Sequence, residues 1–357
     1  MKTIAIATAV LMLVVGCSGK PPASSPADTP SPVSATPTSQ PPSPSSAPTN
    51  GSVPVDLSGD RYVALANALH RRGVAIWWET DLVAKWLEGP AAFDQAISRL
   101  GQLAKVPGTA GFKISDEIGY NDGLTSMAQA TDFLTQARSR LRQVAPGKQI
   151  LVDAVVPDLG CLPWRGGNQE GCAERVRQKH PAAAAAAVET YLRAHLIDRL
   201  DLSTGLLDES TYAQWGLNQQ SAQTDIWKRI RAQGWASLTI LQSRKALADA
   251  NGYRGNADQA RTDAATYIDV PVTAGAKAVD IWTWRQRYQG QMVSLLAPDL
   301  QPNPLWTAMV RRRQQGVQLI THMTPSTLPT DSASYNHECD LAAQAFTAIF
   351  VAAGTGQ

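Results

Sequence analysis

Seven short apolar runs, each separated from the next by a longer helical stretch, predict an α/β fold: a (β/α)8 TIM barrel, or a seven-stranded variant. Two further observations favour a closed barrel over an open doubly wound sheet. No strand runs into GxGxxG or a P-loop, the nucleotide signatures of open sheets. Beyond an N-terminal low-complexity segment, roughly three hundred residues remain with no second Pro/Ser-rich break, which suits one such barrel.

Taken in order, the strands are VAIWWET (74–80), AGFKIS (110–115), QILVDAVV (149–156), RLDLSTGL (199–206), WASLTILQ (235–242), AVDIWTW (278–284) and VQLITHM (317–323). Helical patterns fall between them, over 93–106, 125–144, 181–197, 223–234, 256–276 and 303–316. Ser126 or Thr125 is placed to cap the second helix, and Pro181 suits the first turn of the third. An eighth strand is expected near QMVSLLA (291–297), with a final helix over about 338–353 closing the chain.

Ahead of the barrel (56–357), the first residues set a compartment. Lys2, an apolar run over 4–15 and Gly16-Cys17 have the order of a signal peptide (1–16), too short in its apolar part to span a bilayer permanently. Val14-Val15-Gly16-Cys17 resembles the bacterial lipobox, which implies that Cys17 is lipidated and anchors the chain to the membrane outside the cytoplasm. Over 17–55 the chain is dominated by Pro, Ser, Thr and Ala and cannot bury apolar surface, so a disordered linker is expected. In polyproline form, at roughly 3 Å per residue, it reaches about 100 Å.

Cysteine usage agrees with an oxidising exterior. Cys161 and Cys172 bracket a Gly-rich loop without helical periodicity and are expected to bridge, leaving Cys339 as a small buried residue; pairing through Cys339 stays open on spacing alone. The formal charge of +2 gives no footprint for nucleic acid.

In a barrel, alternate strand residues face the helices and the interior. Phe112 and Ile114 then face helices, while Lys113, Ser115 and, by extension, Glu117 share the inward phase; Asp116 follows Phe112 and Ile114. Asp153, Asp201 and Asp280 oppose apolar neighbours in the same way, together with Ser203, Trp282 and Trp284. Several acids lie at or past strand ends, among them Glu79, Glu117, Asp158, Asp208 and Glu209, and barrel active sites are built at that face. Each acid also has a bland role: Lys113 can pair with Asp153 or Asp201, and Asp208 can cap a helix.

Ten Trp against five Phe inverts the usual order. Trp77, Trp78, Trp282 and Trp284 lie near strand ends, and Trp164 lies in the Cys-bracketed loop, where indole faces could stack on sugar rings. No HExxH, HxH or GxSxG occurs and the five histidines are scattered, so neither a metal nor an organic cofactor is expected.

With the strand ends KISDE and DIWTW, acids at the mouth and lipoprotein-type export, the chain resembles the barrel glycoside hydrolases of bacterial surfaces. It lacks the DxxDxDxE strand of chitinase-like barrels and an Asn-Glu pair. The resemblance implies a carbohydrate partner and two catalytic carboxylates. Glu117 is the candidate acid, and Asp208, Glu209, Asp153 and Glu79 compete for the second role. Trp77, Trp78, Trp282, Trp284, Asp116 and Lys113 are the candidate substrate contacts. The rival expectation is a non-catalytic envelope lipoprotein that binds glycan or protein on the same scaffold.

Overall fold

The computed structural model describes residues 57, 59–243 and 247–352; the signal peptide, Cys17 and the linker lie outside them. Eight parallel strands close into a barrel. They are β1 (Ala75–Glu79), β2 (Thr109–Lys113), β3 (Gln149–Val155), β4 (Arg199–Ser203), β5 (Thr239–Gln242), β6 (Ala278–Asp280), β9 (Leu319–Met323) and β10 (Ala348–Ala352). Sequential strands are neighbours, with β6 beside β9 and β10 beside β1. A hairpin of β7 (Arg285–Tyr288) and β8 (Gln291–Ser294) interrupts the series and lies outside the barrel.

The eighth strand is therefore not QMVSLLA. That segment supplies β8, whose first residues are exposed or half-buried, as suits a hairpin at the rim. The barrel closes instead with AIFVA, inside the stretch expected to be the final helix, and that helix stops at Ala345 (Ser332–Ala345). A short apolar run after a helix reads equally well as more helix or as a buried strand, and here the gap beside β1 decides.

Local chemistry starts most helices where they begin. Asp60, Asp81, Ser126, Asn218, Asn256, Asn303 and Asp331 each accept a backbone N–H from the first turn that follows. Pro181 does not open its helix, which starts at Ala185. There the buried Asp158 carboxylate, reaching across from the loop after β3, accepts the Ala185 N–H at 3.0 Å.

The strand alternation sorts two cores. Outward residues such as Ile76, Trp78, Phe112, Val152, Leu202, Val279 and Ile349 join the large apolar layer under the helices. Inward, Trp77, Leu151, Ile240, Ala278, Ile320, Ala348 and Phe350 plug the barrel axis. Gly111 is what makes room for the indole: a Cβ there would stand 2.6 Å from Trp77 and 2.3 Å from the Gln149 carbonyl. Two residues beyond these apolar positions the same strands turn polar, at Glu79, Asp153, Gln242, Asp280 and His322. The interior is thus greasy below and charged above.

Cys161 and Cys172 are bridged, with Cα atoms 5.7 Å apart. Cys172 does not sit in a loop, however. It lies in the first turn of a helix, Gln169–Lys179, whose high polarity and weak periodicity hid it from the sequence. Cys339 is free and buried. We expect non-reducing peptide maps to link Cys161 to Cys172, and Cys339 to alkylate only after denaturation; alkylation of native Cys339 would contradict its burial. Opening the bridge should cost about 3 kcal/mol of stability.

Candidate active site

The charged layer is built around Lys113. Its Nζ lies 3.1 Å from Glu79, 3.3 Å from Asp153 and 3.1 Å from Asp201. Gln242 Nε2 donates to Asp153 at 2.5 Å. His322 spans the remaining gap, with Nδ1 2.9 Å from Glu79 and Nε2 2.8 Å from Asp280. Phe350 closes one side, its ring centroid 4.9 Å from Nζ. The bland pairing of Lys113 with Asp153 and Asp201 is realised, and Glu79 and Asp280 belong to the same network.

So many charges out of water reset one another's protonation. Burial opposes the Lys113 charge, but Glu79, Asp201, Asp153 and Asp280 together hold it well above the ordinary lysine range. Burial also opposes an imidazolium at His322, yet Asp280 and Glu79 outweigh it and push His322 up to about 10. For Glu79, burial is overcome by His322 and Lys113, which keep it well below the carboxylate range. Asp201 goes the other way: burial, with Asp280 and Asp153 beside it, drives it well above that range despite Lys113. The layer therefore keeps Glu79 ionised and strengthens the hold of Asp201 on a proton. Among the described residues Asp201 Oδ1 and Asp280 Oδ1 find no hydrogen bond, a polar cost of packing these acids on the axis.

The His322 shift makes a pH prediction. A folded value near 10 against 6.5 unfolded means that its contribution is full below pH 6.5 and is lost as pH rises toward 10. Thermal melts should show that alkaline decline, and His322→Gln should flatten it; an unchanged profile in the variant would refute the assignment.

Asp201, Asp280 and His322 offer donor atoms within 4.8 Å of one another, a cation-type set. Lys113 beside Asp201 and the proton between His322 and Asp280 already fill the role of the positive charge there.

Accessibility separates the acids. Asp153 and Asp201 are 0 % exposed and Glu79 is 18 % exposed, so only Glu79 of these three opens to the mouth. Asp116 sits above them in the loop after β2 and is exposed. The surrounding walls still strip enough water from it, with Asp153 and Glu79 adding repulsion against the pull of Lys113, to raise its carboxyl to about 6. Glu117, its neighbour, is buried at φ 59° and accepts a hydrogen bond from the Asn121 amide within the same loop. Asp122, unremarked in the sequence, ties that loop by accepting Gly119 N–H at 2.9 Å and Leu124 N–H at 3.1 Å. Asp208 and Glu209 stand apart from this group: Asp208 caps the helix Glu209–Ala213, and Glu209 accepts the Gln219 N–H at 2.7 Å.

The tryptophans divide as well. Trp77 belongs to the axial plug and Trp78 to the outer core, where its Nε1 donates to the Leu103 carbonyl. Trp284 is buried outside the barrel, donating to Glu338 at 2.8 Å. The inward phase expected for Trp284 fails because β6 ends at Asp280, and with it the alternation. Trp282, half-buried just past β6 and edge-on to Tyr288, is the one of the four at the rim. His322 was legible only through its phase, two residues beyond Ile320 in LITHM.

No family model and no curated protein matches the chain. Among solved structures it is similar to the complete multifunctional pyruvate carboxylase of Rhizobium etli (14 % identity, TM-score 0.38, 80 % of this chain and 24 % of that one). It is also similar to a 2,3-dimethylmalate lyase of the PEP mutase/isocitrate lyase superfamily (11 %, 0.33, 82 % and 80 %). A third is the catalytic core of xylanase A (11 %, 0.35, 67 % and 76 %). This chain thus spans about a quarter of the carboxylase. Likeness this distant leaves the barrel to the strand pairing and says nothing of chemistry.

Proposed function

We propose that the barrel mouth is the active site of a glycoside hydrolase acting on a polysaccharide or envelope glycan. One observation carries this reading: two solvent-reachable carboxyls at the C-terminal face, Asp116 and Glu79, are pushed in opposite directions by their surroundings. Opposed carboxyls are what acid-assisted glycosidic cleavage requires. Asp116, raised to about 6, is the general acid that protonates the leaving oxygen. Glu79, kept ionised by Lys113 and His322, is the base or nucleophile. Trp282 at the rim supplies an aromatic face for a sugar ring. Hydrolysis across a panel of neutral and acidic polysaccharides tests the reading: release of reducing ends by the wild type and not by Glu79→Gln supports it, and no release from any member counts against it.

A non-catalytic binding barrel is the second reading, favoured by the same interior network. Lys113 is already answered by three carboxylates, an arrangement that serves stability without chemistry. Glycan binding without turnover would select it.

The lipobox resemblance adds an anchor at Cys17, holding either activity at the outer face of the membrane. Cys17→Ser should leave the protein unprocessed or shed, and normal detergent-phase partition of that variant would remove the anchor.

A further inference from the structure

Beside the mouth lies a groove of about 380 Å³ that the proposed chemistry does not use. Its walls come from the same C-terminal face: Tyr120 from the loop after β2, Arg165 from the loop after β3, Arg175, Lys179 and His180 from the helix Gln169–Lys179 and its cap, and Trp215 from the segment after β4. Tyr120 is close in the chain to the candidate acids, its N–H donating to the Glu117 carbonyl at 2.8 Å.

No acid lines the groove. The two glutamates of the helix, Glu170 and Glu174, both pair with Arg177 instead. Arg175 and Lys179, one turn apart and so on one face, make no ion pair among the described residues, and neither does Arg165. Flat surfaces accompany the charges. Arg165 lies over the Trp215 ring at 5.7 Å, and Tyr120 stacks on His180 at 4.2 Å. Burial and Lys179 hold His180 below its ordinary value, so at neutral pH it stacks as an uncharged ring.

The walls are also fixed in advance. The Cys161–Cys172 bridge ties the loop to the helix, and Arg229 pins the loop by donating to the Asp158 and Cys161 carbonyls at 2.8 and 3.1 Å. Aromatic rings beside cations that no carboxylate of the described residues answers match a ring that has an apolar face and an anionic substituent.

We propose that this groove is a binding subsite for an acidic saccharide unit, one bearing a carboxylate or sulfate, of the glycan held at the mouth. The assignment deepens the glycosidase reading and rests on it for the glycan. Calorimetry on the full chain tests it with three probes of equal length: a uronic-acid oligosaccharide, a sulfated oligosaccharide and a neutral one. We expect at least one acidic probe to bind about tenfold more tightly than the neutral one, with the preference shrinking as salt rises. Which acidic probe wins names the substituent. The exposed double variant Arg175→Ala/Lys179→Ala should lose the preference while keeping the wild-type melting temperature, and Trp215→Ala should weaken all three probes. Equal binding of neutral and acidic probes, an unaltered preference in the double variant, or displacement by inorganic sulfate at matched concentration would each overturn the subsite. Asp116→Asn keeps the two claims apart. Acidic preference without turnover in any protein removes the catalytic reading alone, whereas turnover without acidic preference removes the subsite alone.

Discussion

Asp116→Asn is expected to lower turnover of a cleavable glycan by about 10²- to 10⁴-fold, the usual contribution of a positioned general acid. The amide keeps the size of the side chain and removes its proton. Because the folded protein disfavours the Asp116 charge, the amide should leave stability unchanged below about pH 4 and raise it modestly as pH climbs through about 6. The pH profile is the sharper readout. A general acid works protonated, so the wild-type rate should fall as pH rises through about 6, and the variant should lose that limb. Glu79→Gln should be at least as damaging at every pH, since Glu79 acts ionised and sits well below the working range. Glu117→Gln should be milder, because Glu117 is buried and its carboxyl is engaged by Asn121. If Glu117→Gln abolishes turnover and Asp116→Asn does not, the acid is Glu117, as the strand phase alone suggested.

Lys113→Met is expected to be the most damaging single change to the fold. It replaces a 1 % exposed cation with an apolar chain of similar length and leaves Glu79, Asp153 and Asp201 facing one another without their shared partner. Removing one member of a buried ion cluster typically costs about 3–5 kcal/mol. Urea unfolding at neutral pH should show a loss of that size, narrowing as pH falls and the acids take up protons instead. A loss below about 1 kcal/mol would mean that the acids neutralise themselves without Lys113. A variant too unstable to purify would leave Asp153→Asn as the softer probe, because the amide keeps the shape and removes one of the repelling charges.

Strand–helix alternation and strand phase were readable in the chain, because both follow from which residues reject water at a period of two. They located seven strands and put Lys113, Asp153, Asp201 and Asp280 inside the barrel. Caps at Ser126 and Asp208 were legible for a similar reason, since a side chain that reaches its own following turn needs no distant partner. The short spacing of Cys161 and Cys172 made their bridge the expected pairing, and the structure decided it against Cys339.

Tertiary structure alone decided the remainder. AIFVA became the closing strand because the barrel had a gap between β9 and β1, a vacancy no local window contains. Which acid reaches solvent depends on its height along the axis, so Asp153 and Asp201 are sealed while Glu79 and Asp116 open to the mouth. Protonation states depend on charges brought from strands as far apart as β1 and β9, which is why His322, one of five scattered histidines, became an imidazolium between two carboxylates. Phase is a local property of a strand, whereas depth, neighbours and the water they exclude exist only once the sheet has closed.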